Sequence, residues 1–156
     1  MTVRLELMSS EQYEAWLPSA IEGYAQQTSD SGLMAIEPAR ESAVKQFASL
    51  LPDGVATPGH HLLLAYDGEQ VVGDLWLRIH DEWSARRAFV FNVEVDESQR
   101  GRGYGRAIMT AGEDYARQQG VVAMALNVFV QNDVARSLYD KLGYRVTNVN
   151  MQKELI

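Results

Sequence analysis

Apolar and polar positions along the chain switch between two periods, and the switches mark out the elements. Val3, Leu5 and Leu7 alternate with polar residues and predict a first strand. Ser9 and Gln12 have the spacing of a capping box. Beyond it Tyr13, Trp16, Leu17, Ala20, Ile21 and Tyr24 recur at helical spacing, which predicts an amphipathic helix ended by the polar run 26–32. Pro38 suits the first turn of a second helix, with Val44, Phe47, Ala48 and Leu51 as its stripe. Pro52-Asp53-Gly54 and Pro58-Gly59 punctuate a loop. His61 to Tyr66 then predicts a strand, Asp67-Gly68 a hairpin turn, and Gln70 to His80 the partner strand. A charged connection over 81–87 leads into a strand from Ala88 to Val95.

The second half repeats the alternation of strand and helix. A helix from about Gly105 to Gln119 turns Ile108, Gly112, Tyr115 and Ala116 inward, and Gly120 closes it. Val121 to Val130 is apolar enough for a strand buried on both faces. Asn132 or Asp133 caps a helix with the stripe Val134, Ala135, Leu138 and Leu142, which Gly143 ends. Tyr144 to Leu155 reads as one or two final strands. With no linker, repeat or low-complexity tract, this is one α/β domain over residues 1–156.

Composition narrows the chemistry. The absence of cysteine removes disulfides, thiolate nucleophiles and cysteine-based zinc sites. A net charge of −7 argues against a nucleic-acid binder with a basic surface. The apolar runs fall short of a membrane span, and the N-terminus lacks the long apolar core of a signal peptide, so the expected location is the cytoplasm, away from membranes.

Against that acidic background, Arg100, Arg102 and Arg106 cluster in the stretch Ser98-Gln99-Arg100-Gly101-Arg102-Gly103-Tyr104-Gly105-Arg106, although the chain has only 14 Lys plus Arg. Glycines between a strand and a helix N-terminus let a ligand approach free main-chain N–H groups, which suits a phosphate. The spacing is GxGxG. A P-loop needs GxxxxGK[ST], and the chain holds no Lys-Ser or Lys-Thr pair. A dinucleotide fingerprint needs GxGxxG and an acid at the end of the next strand, where this chain has Asn127 and no acid.

Arg100-x-x-Gly103-x-Gly105 after one strand, followed by Asn132-x-x-Ala135-x-x-Leu138-Tyr139-x-x-x-Gly143-Tyr144 after the next, resembles the GNAT superfamily of acetyl-CoA-dependent N-acyltransferases. The resemblance covers about residues 61–150. Residues 1–60, with Thr57-Pro58-Gly59-His60-His61, are similar to the helical front part of one bacterial branch. Together with the pattern, it implies a single GNAT-like α/β domain, with a mixed central sheet of about six to seven strands and about four helices on both faces.

The resemblance implies acetyl-CoA as cosubstrate, no metal, an amine of a small molecule or protein as acceptor, and allows a homodimer. Main-chain groups of Val93, Glu94 and Val95 would pair with the pantetheine arm. The amides from Gly101 through Arg102, Gly103, Tyr104 and Gly105 to Arg106 would hold the pyrophosphate, with Arg100 at the start of the cradle and Asn132 also on the arm. Tyr139 matches the family tyrosine assigned as general acid, and a phenol with a pKa of about 10 is protonated at neutral pH. The glutamate some members use as base is replaced here by Asn127, which cannot accept a proton. Glu94 is the candidate base in its place, with Asn92 orienting substrate or water, and His60 and His61 are bases by intrinsic pKa alone. Trp16, Tyr24 and Trp83 are candidate walls of the acceptor site. A non-catalytic acyl-CoA sensor that keeps the cradle without the chemistry is the alternative.

Overall fold

The computed structural model describes residues 2–156. Strands β1 (Arg4–Leu7), β2 (His60–Asp67), β3 (Gln70–Glu82), β4 (Ala85–Val95) and β5 (Ala123–Leu126) form one sheet in the order β1-β2-β3-β4-β5. Neighbours are antiparallel except β4 and β5, which are parallel. Helices α1 (Ser10–Asp30) and α2 (Ile36–Leu50) precede β2, α3 (Tyr104–Gln118) is the crossover from β4 to β5, and α4 (Asp133–Lys141) follows β5.

Period-two alternation in the strands divides the core in two. Leu62 and Trp76 face α1 and α2, where they meet Ala20, Phe47 and Leu51. Leu63, Ala65, Leu75 and Leu77 face the other way, against Ile108 and Met109 of α3. Packing between β3 and β4, and between β3 and α3, is close. A Cβ on Gly73 would stand 2.2 Å from the Glu94 carbonyl oxygen, and one on Gly112 would stand 2.6 Å from Leu75 Cδ2.

The capping box is present: Gln12 N–H donates to Ser9 Oγ at 3.1 Å, and Ser9 N–H to Gln12 Oε1 at 2.9 Å. α1 then runs through part of the polar stretch expected to end it, because Gln26 Nε2 reaches Asp30 Oδ1 one turn on, at 2.9 Å. The buried stripe of α2 is Ala39, Ala43 and Phe47, and Val44 points to solvent. The small residues let α1 and α2 pack tightly, with Ala25 also at their contact.

Five strands form among the described residues, below the expected six to seven. β5 occupies four residues of the apolar run 121–130, and residues 145–156 form no ladder among the described residues. Alternation specifies a strand only where a partner edge supplies its hydrogen bonds. Here Val146, Val149 and Met151 have no sheet face to cover them and are exposed. The outer edge of β5 is correspondingly bare, and a cavity of about 800 Å³ lies along it. Val134 of α4, assigned to that helix's apolar stripe, is exposed.

Candidate active site

The sheet opens at β4. Its pairing with β5 runs from Arg87↔Ala123 to Val90↔Leu126 and stops there. The next residue, Phe91, is extra in the ladder with β3, since Leu77 pairs with Val90 and Trp76 with Asn92. Such a bulge bends its strand and increases the local twist. From Asn92 to Val95, β4 therefore keeps β3 on one side and leaves β5 on the other.

The ladder decides which main-chain groups remain over. Asp96 N–H donates to the Val72 carbonyl at 2.9 Å. Hydrogen-bonded positions alternate in an antiparallel pair, so Glu94 bonds to β3 while Val93 and Val95 turn N–H and C=O toward the opening. Arg100 Nε donates to the Val95 carbonyl there, at 3.1 Å.

Two glycines shape the turn that follows. Gly101 and Gly103 have φ of 78° and 88°, in the left-handed region that costs other residues about 1–2 kcal/mol. Gly103 is the N-cap of α3, and no side chain caps that terminus. The first N–H groups of α3 are therefore free and lie at the positive end of its dipole. Arg102 and Arg106 flank the cradle, exposed, and Arg106 makes no hydrogen bond or ion pair among the described residues. The Tyr104 hydroxyl turns inward and donates to Asp67 Oδ2 at 2.5 Å, so only its main chain faces a ligand.

α4 packs onto the same end of α3: Leu138 Cδ2 lies 3.4 Å from where a Cβ on Gly105 would stand. Asn132 caps α4 by accepting from Ala135 N–H at 3.2 Å, which leaves its Nδ2 free. Tyr139 borders the core around Ile108, its ring 5.9 Å from that of Tyr144 at 66°. Burial pushes the Tyr139 phenol above its ordinary value of 10 and keeps the proton on the oxygen.

Glu94 projects to the opposite face, toward α1, where Oε2 is 3.8 Å from a Cβ placed on Gly23. Burial raises its pKa, the Arg100 guanidinium 3.4 Å away lowers it, and Asp96 raises it again. Across the ladder stands Asp74, a buried carboxylate that the sequence pattern did not single out. Asn92 Nδ2 donates to Asp74 Oδ1 at 2.9 Å, so Asn92 orients a carboxylate. Burial first, then Glu94 and Asp96, raise the Asp74 pKa to about 7 against the pull of Trp16 and Asn92. Trp16 Nε1 is itself buried with no partner in hydrogen-bond geometry.

The remaining candidates disperse. His61 is on the α3 face, with Nδ1 2.6 Å from the Tyr115 hydroxyl, whereas His60 accepts from Trp76 Nε1 at 2.9 Å. Burial lowers the pKa of both and keeps the rings neutral. Trp16 and Tyr24 pack against Phe47 beneath Glu94's face of the sheet. Trp83 lies in the β3–β4 hairpin at φ 50°, exposed with Arg87 over its ring, and walls nothing near the opening. Asn127 lies just past the end of β5, exposed. Among the described residues, no group of three or more His, Asp or Glu side chains is placed to hold a metal ion, and no helix is long and apolar enough to cross a membrane.

Comparison with known proteins agrees with this fold. The model of the Acetyltransferase (GNAT) family matches residues 19–144. The uncharacterised N-acetyltransferase YycN of Bacillus subtilis is 33% identical over 156 residues, which cover 99% of this chain and 100% of YycN. YdgE, an uncharacterised N-acetyltransferase of the same organism, is 30% identical over 99% of each chain. The crystal structure of YycN superposes with a TM-score of 0.94 over 99% of each chain.

Proposed function

The chain belongs to the GNAT family of acetyltransferases, and we propose that it transfers the acetyl group of acetyl-CoA directly to a primary amine of a small molecule or protein, both substrates being bound together. The observation that carries this reading is the open edge of β4 running straight into an uncapped, glycine-turned helix N-terminus. The residues fit the donor. Val93 and Val95 offer amide donors and acceptors to an arm that itself carries amides, as an added strand would. The free N–H groups from Gly101 to Arg106 suit a pyrophosphate, and Arg102 and Arg106 supply charge-assisted bonds worth about 1.5–3 kcal/mol each. Arg100 and the free Nδ2 of Asn132 border the same groove.

When bound, acetyl-CoA supplies an activated thioester. Tyr139, held protonated by burial, would give its proton to the departing thiolate sulfur and take back the second proton that the nitrogen loses as the amide forms. Glu94, on the opposite face of β4, takes the proton released as the acceptor's ammonium becomes a neutral amine. The acceptor enters on the α1 side, against Trp16 and Tyr24. Holding two reactants in one opening provides about 7–11 kcal/mol of a typical barrier, more than the 10²–10⁴-fold of a base alone. The test is thioester cleavage with a panel of amines, wild type beside Tyr139→Phe. Amine-dependent cleavage that collapses in the variant supports the reading, and tight acetyl-CoA binding without turnover on any amine overturns it.

A further inference from the structure

Asp74 is 8% exposed, in a strand position where its neighbours on the same face are Trp76, Leu64 and Phe91. A buried carboxylate is costly without a cation beside it. None is present among the described residues: the Arg100 guanidinium nearby is engaged with Glu94 and the Val95 carbonyl. β4 presents Glu94, directly opposite in register, and Asp96, both negative, together with the Asn92 amide. α1 presents the Trp16 indole and β2 presents Leu64, neither of which titrates. Asn92 holds only one oxygen of the carboxyl. Packing alone would favour an apolar residue here, so the carboxylate needs another reason.

We propose that Asp74 is a positioning residue for the acceptor's proton, the inner member of a carboxylate pair whose outer member, Glu94, meets the amine. This rests on the reading of Glu94 as proton acceptor. In the step, an N–H bond of the ammonium breaks and an O–H bond forms on Glu94. That proton then moves to the Asp74 carboxylate, and Glu94 is ionised again. Asp74 releases the proton to solvent after the products leave. Two adjacent carboxylates share protons in two steps that belong to the pair. Burial and the neighbouring charges put the upper step near 7, the value at which Asp74 is held, so the store is emptied and filled around neutrality.

The experiment has two arms. Infrared titration of the protein alone, without acetyl-CoA, follows the C=O band of protonated carboxyl groups. Wild type is expected to show one carboxyl titrating near pH 7, absent in Asp74→Asn and moved to lower pH in Glu94→Gln, where the facing negative charge is gone. The second arm compares kcat/KM at pH 6 and pH 8 for one amine. The pH 6 to pH 8 ratio should rise at least threefold in Asp74→Asn relative to wild type, while the KM for acetyl-CoA stays within twofold. Amine protonation is common to both proteins and cancels. The proposal is overturned if no carboxyl titrates above pH 6, if that titration is the same in Glu94→Gln, or if the ratio is unchanged in Asp74→Asn. Loss of amine turnover in every form would defeat the acetyltransferase reading, and the infrared arm would still decide whether the pair exists.

Discussion

Arg100 donates through Nε to the Val95 carbonyl at 3.1 Å, on the side of β4 that β5 does not pair. The same guanidinium lies 3.4 Å from Glu94 Oε1. Arg100 therefore links the open side of β4 to Glu94 on its other face. Removing it has a definite sign for pH dependence. The Arg100 charge lowers the Glu94 pKa, so Arg100→Gln raises it. A base acts only when deprotonated, and the acid limb of kcat/KM should move to higher pH. Arg100 is exposed and Glu94 only half-buried, so solvent and salt weaken the pair, and the displacement should shrink in high salt.

Stability should fall with rising pH because of Asp74. Its ordinary value is 3.8 and its folded value about 7, so the folded chain holds this proton more tightly than the unfolded chain. The associated stability is complete below about pH 4 and is lost as pH rises through about 7. A difference of about three units corresponds to at most about 4 kcal/mol. Urea unfolding of Asp74→Asn should show a flatter profile between pH 5 and pH 8, with its largest gain over wild type at pH 8.

Gly103→Glu should abolish acetyl-CoA binding, by at least a hundredfold in calorimetry, because it sets bulk and negative charge where the cradle N–H groups converge. The control is Gly103→Ala, which carries the same left-handed strain of about 1–2 kcal/mol without the charge. Equal affinity in wild type and Gly103→Glu would show that the pyrophosphate binds elsewhere.

Tyr139→Phe keeps the ring that packs against Tyr144 and removes only the proton donor. The expectation is a fall in kcat of about 10²-fold or more, with the KM for acetyl-CoA and the melting temperature nearly unchanged. A large loss of stability instead would make the hydroxyl structural.

Gly73→Ala tests how tightly β3 and β4 are joined beneath the site. The added methyl would meet the Glu94 carbonyl at 2.2 Å and Ile108 Cδ1 at 2.8 Å, so the strand carrying Glu94 must shift. Overpacking of this kind costs about 1–3 kcal/mol, and against backbone it should fall at the upper end. Activity per folded molecule, measured beside urea unfolding, should fall as well.

The local features were legible in the sequence because their causes are local. The Ser9–Gln12 capping box, the glycines at 101 and 103 and the Asn132 cap each depend on residues within one turn. Asp74 was not legible. Between Gly73 and Leu75 it reads as one more polar position of a hairpin strand, and it acquires its meaning from the register that sets it opposite Glu94. Trp83 was misjudged for the converse reason: an aromatic suggests a wall, but the tight β3–β4 hairpin carries it to the exposed end of the sheet. The alternation after Tyr144 was read as strand from its own side chains, and a strand also requires a partner edge.

The bulge at Phe91 makes the opening a matter of chain length. Without the additional residue the ladder with β3 would close into regular pairing, and β4 would be free to continue alongside β5 as a zip continues past its stop. The sheet would become more regular and the groove would be lost. No side-chain substitution removes that stop, because it consists of one surplus peptide unit. The opening beside β4 is therefore encoded by one additional residue, separately from the side chains around it.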